Sequence, residues 1–152
     1  MTRESAEVGD CDERFSRLSA EERASRLLDP GSVARLDVEG GAESTVWVGA
    51  GSIAGRRVLL ALTDGRRRGG TIGVGDATIL GQWAAAATHR DIEALVVCWD
   101  TGGVRVEEGP LALATASAVG VALGRLAIQG PPVLTLISGG RGCFGAPSVI
   151  AA

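Results

Sequence analysis

The sequence contains no lysine and no tyrosine; all 15 of its basic residues are arginine, and His89 is its one histidine. Without lysine, Schiff-base chemistry and lysine-dependent phosphate loops are excluded. Phe and Trp together make up 3% of the 152 residues, which leaves little on which RNA or single-stranded DNA bases could stack. Fifteen basic against 18 acidic residues give a net charge of −3, so the basic excess that neutralises phosphates is missing and nucleic acid is not an expected partner. Cys11, Cys98 and Cys143 lie far apart with no C-x-x-C pair, which argues against a structural zinc site; no metal is expected. Residues 1–14 carry charge where an export signal would carry an apolar core, so a cytoplasmic location is expected. The one long apolar run, 110–124, is shorter than the roughly 18 residues that span a bilayer, and Arg125 closes it. A buried helix without membrane contact is the expectation.

Hydrophobic residues reach 45%, enough for the core of one domain, expected over 15–152 behind a flexible leader at 1–14. Apolar spacing predicts a helix over 15–28, with Ser19 and Glu22 forming a capping box within it and Asp29-Pro30-Gly31-Ser32 stopping it. A glycine-rich loop follows at 38–43. Strands at 45–48 and 57–62, joined by the glycine-bearing stretch 49–55, read as a hairpin. After the turn Asp64-Gly65-Arg66-Arg67-Arg68-Gly69-Gly70, a helix is predicted over 76–88, ending in a His89-Arg90-Asp91 loop. The pattern then alternates as α/β: buried parallel strands at 94–99 and 133–137, a helix over 110–128 with Pro110 in its first turn, and a last helix from Cys143 or Phe144. The 110–128 helix is apolar nearly all the way round, so it needs cover from its own sheet and from a partner chain. Trp47, Trp83 and Trp99 are expected in the core.

Chemistry is expected at two turns of one design. Asp100-Thr101-Gly102-Gly103-Val104-Arg105 follows one buried strand, and Ser138-Gly139-Gly140-Arg141-Gly142-Cys143-Phe144-Gly145 follows the other. Ligands of parallel α/β sheets collect beyond the carboxyl ends of strands. Paired glycines let the backbone approach a ligand and aim successive N–H groups at one place, and helix N-termini add positive charge. Two such turns can converge on an oxygen that gains charge during reaction, where one donor lowers a barrier by roughly 3 kcal/mol. The stretch Gly70-Thr71-Ile72-Gly73-Val74-Gly75 has the wrong glycine spacing for a dinucleotide fingerprint. Arg105 and Glu108 are spaced to pair and fix the first turn, the alternative being a direct contact from Arg105 to a substrate carboxylate. Cys143 reads as a packed thiol, although a helix start can lower a thiol pKa. Arg66, Arg67 and Arg68 read as a solvated turn, or else as a phosphate contact.

The first turn resembles the S-G-G-A-R-M-Q-E-G signature of carboxyltransferase subunits, here Thr101-Gly102-Gly103-Val104-Arg105-Val106-Glu107-Glu108-Gly109. The form D-T-G-G-V-R is more similar to the β subunit of biotin-independent malonate decarboxylases. Leu27-Leu28-Asp29-Pro30-Gly31-Ser32, Gly69-Gly70-Thr71-Ile72-Gly73 and Gly142-Cys143-Phe144-Gly145 fit the same family, and no four-cysteine ribbon of the acetyl-CoA carboxylase type precedes them. The resemblance implies a ClpP/crotonase-like carboxyltransferase fold, partial here, with ββα-type units and helices packed on the sheet. It implies a malonyl thioester substrate on an acyl-carrier protein whose prosthetic group derives from dephospho-CoA, with no cofactor held covalently on this chain. A γ-type carboxyltransferase subunit would complete a hetero-oligomer. Decarboxylation then leaves an enolate stabilised by N–H donors near Gly102 and Gly103, with Gly139, Gly140, Gly142, Cys143, Phe144 and Gly145 shaping that pocket or a second one. Thr101, Val104, Arg105, Gly70, Thr71, Arg66 and Arg68 are the expected substrate contacts. Members of that family continue well past the second glycine turn, so the chain is expected to be an N-terminal, incomplete portion of the domain; Ala146-Pro147 also departs from the family pattern. A biotin-dependent acyl-CoA carboxyltransferase subunit and a non-catalytic partner of a split complex are the alternatives.

Overall fold

The runs VLLAL (58–62) and ALVVCW (94–99) offer no polar side to solvent, and both become interior strands. The computed structural model describes residues 15–38, 43–89 and 91–152; the expected leader, most of the glycine loop at 38–43, and Arg90 lie outside the described residues. The strands β1 (Ala34–Arg35), β2 (Val46–Ile53), β3 (Arg56–Thr63), β4 (Ala94–Trp99) and β5 (Val133–Ile137) form one sheet in that order. Pairing is antiparallel from β1 to β3 and parallel from β3 through β4 to β5. The helices are α1 (Ala20–Leu27), α2 (Val74–Ala86), α3 (Gly109–Gln129) and α4 (Ala146–Ala151).

Strand alternation sends side chains to two cores. Leu59, Ala61, Leu95, Val97 and Trp99 join Trp83, Leu80 and Ile79 of α2 and the buried stripe of α3 on one face. Val58, Leu60, Leu62, Val96 and Cys98 meet Trp47 and the Ala20, Ala24 and Leu28 side of α1 on the other. The three tryptophans are all buried, as expected.

Several boundaries differ from the sequence reading. The helix expected over 15–28 is divided, because a capping box starts a helix and does not sit inside one. Ser19 is extended at φ −63, ψ 161 and accepts the Glu22 N–H, and Glu22 accepts the Ser19 N–H in return. The hairpin strands run on to Ile53 and from Arg56, around the two-residue turn Ala54-Gly55, both at positive φ. Asp29 holds that turn by accepting the N–H groups of Gly55 (2.8 Å) and Ala54 (3.0 Å), which keeps its carboxyl below the usual range. Gly51 is therefore a strand residue, and a Cβ there would stand 2.7 Å from Leu28 Cδ1. Helix α2 begins two residues early because Asp76 caps it through the Gly73 N–H. Helix α4 begins late, at Ala146, because Cys143 is held in a bridge to Thr101.

Two expectations of burial are corrected. Among the described residues strand β5 is an edge, paired with β4 alone, and α1 packs on β2, β3 and β4 without reaching it; Leu134, Leu136 and Ile137 are 52%, 41% and 62% exposed. Helix α3 buries only the stripe Ala112, Ala116, Val119 and Leu123, and leaves Leu111, Leu113, Val121 and Ile128 exposed. The helical stretch Val106–Gln129 is also longer than the 110–124 run, with Arg125 inside it; its 24 residues are long and apolar enough by length and composition to cross a membrane.

This asymmetry has a measurable cost. Leu60→Ala, at a fully buried position, is expected to lower unfolding stability by about 2–5 kcal/mol. Leu136→Ala, on the open face, is expected to lie near the ~0.5 kcal/mol typical of surface changes. Equal losses in urea melts would contradict this account of the sheet.

Candidate active site

Parallel pairing brings the ends of β3, β4 and β5 to one side of the sheet, where Asp64, Asp100 and Ser138 follow the three strands directly. Asp100 organises this end. It is buried, and its carboxylate accepts the N–H of Gly65 (3.0 Å) from the β3 exit and the N–H of Arg141 (2.9 Å) from the β5 exit. Its own N–H donates to Thr63 Oγ1 at 2.6 Å. Arg23 Nη2 of α1 stands 3.7 Å from the carboxylate and donates to the Thr63 carbonyl at 2.6 Å. A Cβ on Gly139 would overlap the Asp100 carboxyl group, so the paired glycine of the second turn is required by the acid of the first.

The two glycine turns meet. Thr101 donates its N–H to the Gly142 carbonyl (2.9 Å) and accepts the Phe144 N–H (3.3 Å), a parallel bridge that extends the sheet by one rung. A side chain on Gly145 would begin 3.6 Å from Gly103 Cα and 4.0 Å from Val104 N. The amides of Gly102 and Gly103 are used inside the turn, the first on the Gly69 carbonyl (2.9 Å), the second on Thr101 Oγ1 (3.1 Å). The N–H groups of Val104, Gly139, Gly140, Cys143 and Gly145 donate to no protein oxygen among the described residues. The donors near Gly102 and Gly103 that remain for a ligand are thus Val104 on the first turn and Gly145 beside it.

The remaining predicted residues divide around this junction. Arg105 pairs with Glu108 (2.8 Å), as its spacing suggested, and also with Asp76 (2.7 Å) and the Thr71 carbonyl (3.0 Å). Burial works against its charge, but the Glu108 hydrogen bond and the Asp76 charge outweigh it and raise its pKa. Glu108 in turn accepts the Val74 N–H at 2.6 Å, which with Arg105 pulls its carboxyl below the ordinary 4.5. Asp76 further receives Thr45 N–H and Ser44 Oγ, both at 2.8 Å, so this network ties the first turn to the start of α2. Gly70 packs against the Asp100 carbonyl, and Thr71 Oγ1 donates to the Arg68 carbonyl at 2.9 Å. Arg66 pairs with Asp64 (3.2 Å) and Arg68 with Glu43; both guanidinium side chains are about half exposed, 50% and 51%. Cys143 is partly buried and burial pushes its thiol pKa up, the direction of a packed thiol. Phe144 is 61% exposed at the junction.

Asp100, Arg23, Thr63 and Asp76 were not singled out from the sequence. The available signals were an acid placed directly after an apolar strand, and an arginine on the Ala20, Ala24, Leu27 side of α1. Among the described residues, no group of three or more His, Cys, Asp or Glu side chains is placed to hold a metal ion. An apolar cavity of about 840 Å³ lies between α3, α4 and β5, lined by Val121, Gly124, Val133 and Val149 and reaching Ala146, which follows Gly145 of the second turn.

Two measurements follow from this geometry. Gly139→Ala is expected to destabilise the wild type but to cost less beside Asp100→Ala, giving a coupling of about 0.5–3 kcal/mol in a double-mutant cycle; additive losses would contradict the contact. Because the Glu108 pKa is lowered on folding, its contribution is complete above the ordinary 4.5 and fades as pH falls through the folded value. The stability gap between wild type and Glu108→Gln is therefore expected at neutral pH and closes as the pH falls below the ordinary carboxylate range; a gap independent of pH would contradict it.

No family model matches the chain. The acetyl-coenzyme A carboxylase carboxyl transferase subunit beta of Opitutus terrae is 29% identical over 146 residues, which cover 80% of this chain and 50% of that protein. A crystal structure of the Pseudomonas malonate decarboxylase MdcD–MdcE hetero-dimer is 35% identical, with a TM-score of 0.75 over 90% of this chain and 59% of the matched one. A Pseudomonas malonate decarboxylase hetero-tetramer in complex with malonate is 29% identical, with a TM-score of 0.78 over 90% of this chain and 56% of its own. The chain thus spans about half the length of that curated relative and under two thirds of the matched structures. The fold is that of the crotonase-like carboxyltransferases, and these likenesses support that superfamily, without selecting one of its branches, for this chain.

Proposed function

We propose that this chain is a carboxyltransferase-type subunit of a malonyl-thioester decarboxylase, acting on a malonyl group carried by an acyl-carrier protein. The observation that carries the reading is the junction of the two turns, where the N–H groups of Val104 and Gly145 find no acceptor among the described residues and their residues sit side by side. When a malonyl thioester loses carbon dioxide, the bond between Cα and the carboxylate breaks. Its electron pair moves into the Cα–C(=O) bond, and the thioester oxygen takes up negative charge. Two fixed N–H groups aimed at that oxygen stabilise the enolate more than the ground state, which is what lowers the barrier. In this reading Gly102, Gly103, Gly139, Gly140 and Gly142 shape the turns, Cys143 packs beneath them, and Phe144 covers the acyl group. Thr101 fixes the rung between the turns, and Arg105 braces the first turn through Glu108 and Asp76.

The half-exposed Arg66 and Arg68, beside Gly70 and Thr71, are the proposed contacts for phosphates of the carrier's CoA-derived arm. The apolar faces of α3 and β5 favour a hetero-oligomer, with a γ-type subunit as the proposed partner. A second reading has its own support: the likeness to acetyl-CoA carboxylase β subunits favours a biotin-dependent carboxyltransferase, which would form the same enolate but pass the carboxyl group to biotin.

The test is Val104→Pro, which removes an N–H that donates to no oxygen among the described residues. In the complex with its partner subunit, carbon dioxide release from malonyl thioester is expected to fall by about 100-fold or more. Unchanged release would overturn the reading, and carboxylation of added biotin would favour the second one.

A further inference from the structure

The thioester reading assigns nothing to Asp100, yet the exits of three strands close on it. The Gly65 N–H reaches its carboxylate from the β3 side and the Arg141 N–H from the β5 side, at 3.0 and 2.9 Å. Its own N–H is fixed by Thr63 Oγ1, and the Arg23 guanidinium stands behind it at 3.7 Å. Neither of those two charged side chains meets solvent to any extent, at 0% and 3% exposure.

We propose that Asp100 is the positioning residue of the site, setting the spacing of the Val104 and Gly145 amides without touching the substrate. What the amides bind rests on the reading above; how they are held does not. Val104 follows Asp100 by four residues and Gly145 follows Arg141 by four, so one carboxylate anchors both turns at the same remove. The Thr101–Cys143 bridge closes the rung between the anchor and the amides. A carboxylate suits the place because its two oxygens accept only, and two N–H donors arrive from different strands. An asparagine would turn an NH2 donor toward one of them. Glycine is required on either side as well: a Cβ on Gly65 would stand 2.5 Å from both carboxylate oxygens, and one on Gly139 would overlap the carboxyl carbon.

The experiment is Asp100→Asn in the full chain, followed by proton–nitrogen correlation NMR with malonyl-CoA as the probe. The variant is expected to fold, with the Gly65 or Arg141 amide exchanging about tenfold faster or more, as for a lost hydrogen bond to a charged group. The Val104 and Gly145 signals are expected to shift before any ligand is added, and malonyl-CoA affinity read at those signals to fall about tenfold. Gly139→Ala, which pushes the carboxylate aside without removing it, is expected to give the same signature and decides the question if Asp100→Asn does not fold. Folded variants whose Val104 and Gly145 signals match the wild type overturn the positioning role. Wild-type signals that ignore malonyl-CoA, while the variants still displace them, uphold the positioning role and overturn the thioester reading.

Discussion

A single carboxylate buried at the mouth of a parallel sheet governs the arrangement of everything around it. Taking an ion out of water costs several kcal/mol unless donors replace its hydration. Asp100 meets that demand with two backbone N–H groups and a neighbouring guanidinium, each supplied by a different element. The cost falls on the rest of the chain as constraint. A side chain at Gly65 or Gly139 would displace the carboxylate, Arg23 must sit on the inner side of α1, and the exits of β3 and β5 must come to β4. Arg23 itself remains under-satisfied, since its Nε and Nη1 have no hydrogen-bond partner among the described residues. The arrangement is thus tuned to hold Asp100 rather than to satisfy every donor.

A second polar network does for the start of α2 what Asp100 does for the strand exits. Asp76 and Glu108 cap the first turn of that helix through the N–H groups of Gly73 and Val74, and Arg105 joins the two acids. The conspicuous arginine of the first turn is therefore spent on architecture. The Gly102 and Gly103 amides are also turned inward, so the N–H groups left without an acceptor among the described residues are those of Val104, just after the first glycine pair, and of Gly139, Gly140, Cys143 and Gly145 in the second turn.

The legible and illegible parts of the chain differ for physical reasons. The 94–99 strand and the Pro110 helix were readable because continuous apolar runs and a first-turn proline report local structure directly. The Arg105–Glu108 pair was readable from helical spacing. Gly51 was misread as a loop residue because a glycine that makes room for Leu28 looks, in sequence, like a glycine that makes a turn. The exposure of β5 was illegible because it depends on what lies beside the strand, and an apolar run does not say whether a neighbour is there. Asp100 escaped notice because its donors come from Gly65, Arg141 and Arg23, which no local pattern connects. The two glycine turns were found, but which of their amides stay free follows only from where Gly69 and Thr101 lie.

The most direct measurement of the central claim is the carbonyl stretch of malonyl-CoA carrying carbon-13 at its thioester carbon, recorded by isotope-edited infrared spectroscopy on the bound wild-type protein. Two amide donors on that oxygen weaken the C=O bond, so the account predicts a band at clearly lower frequency than in free malonyl-CoA. A bound thioester whose band stays where it is in water would contradict it.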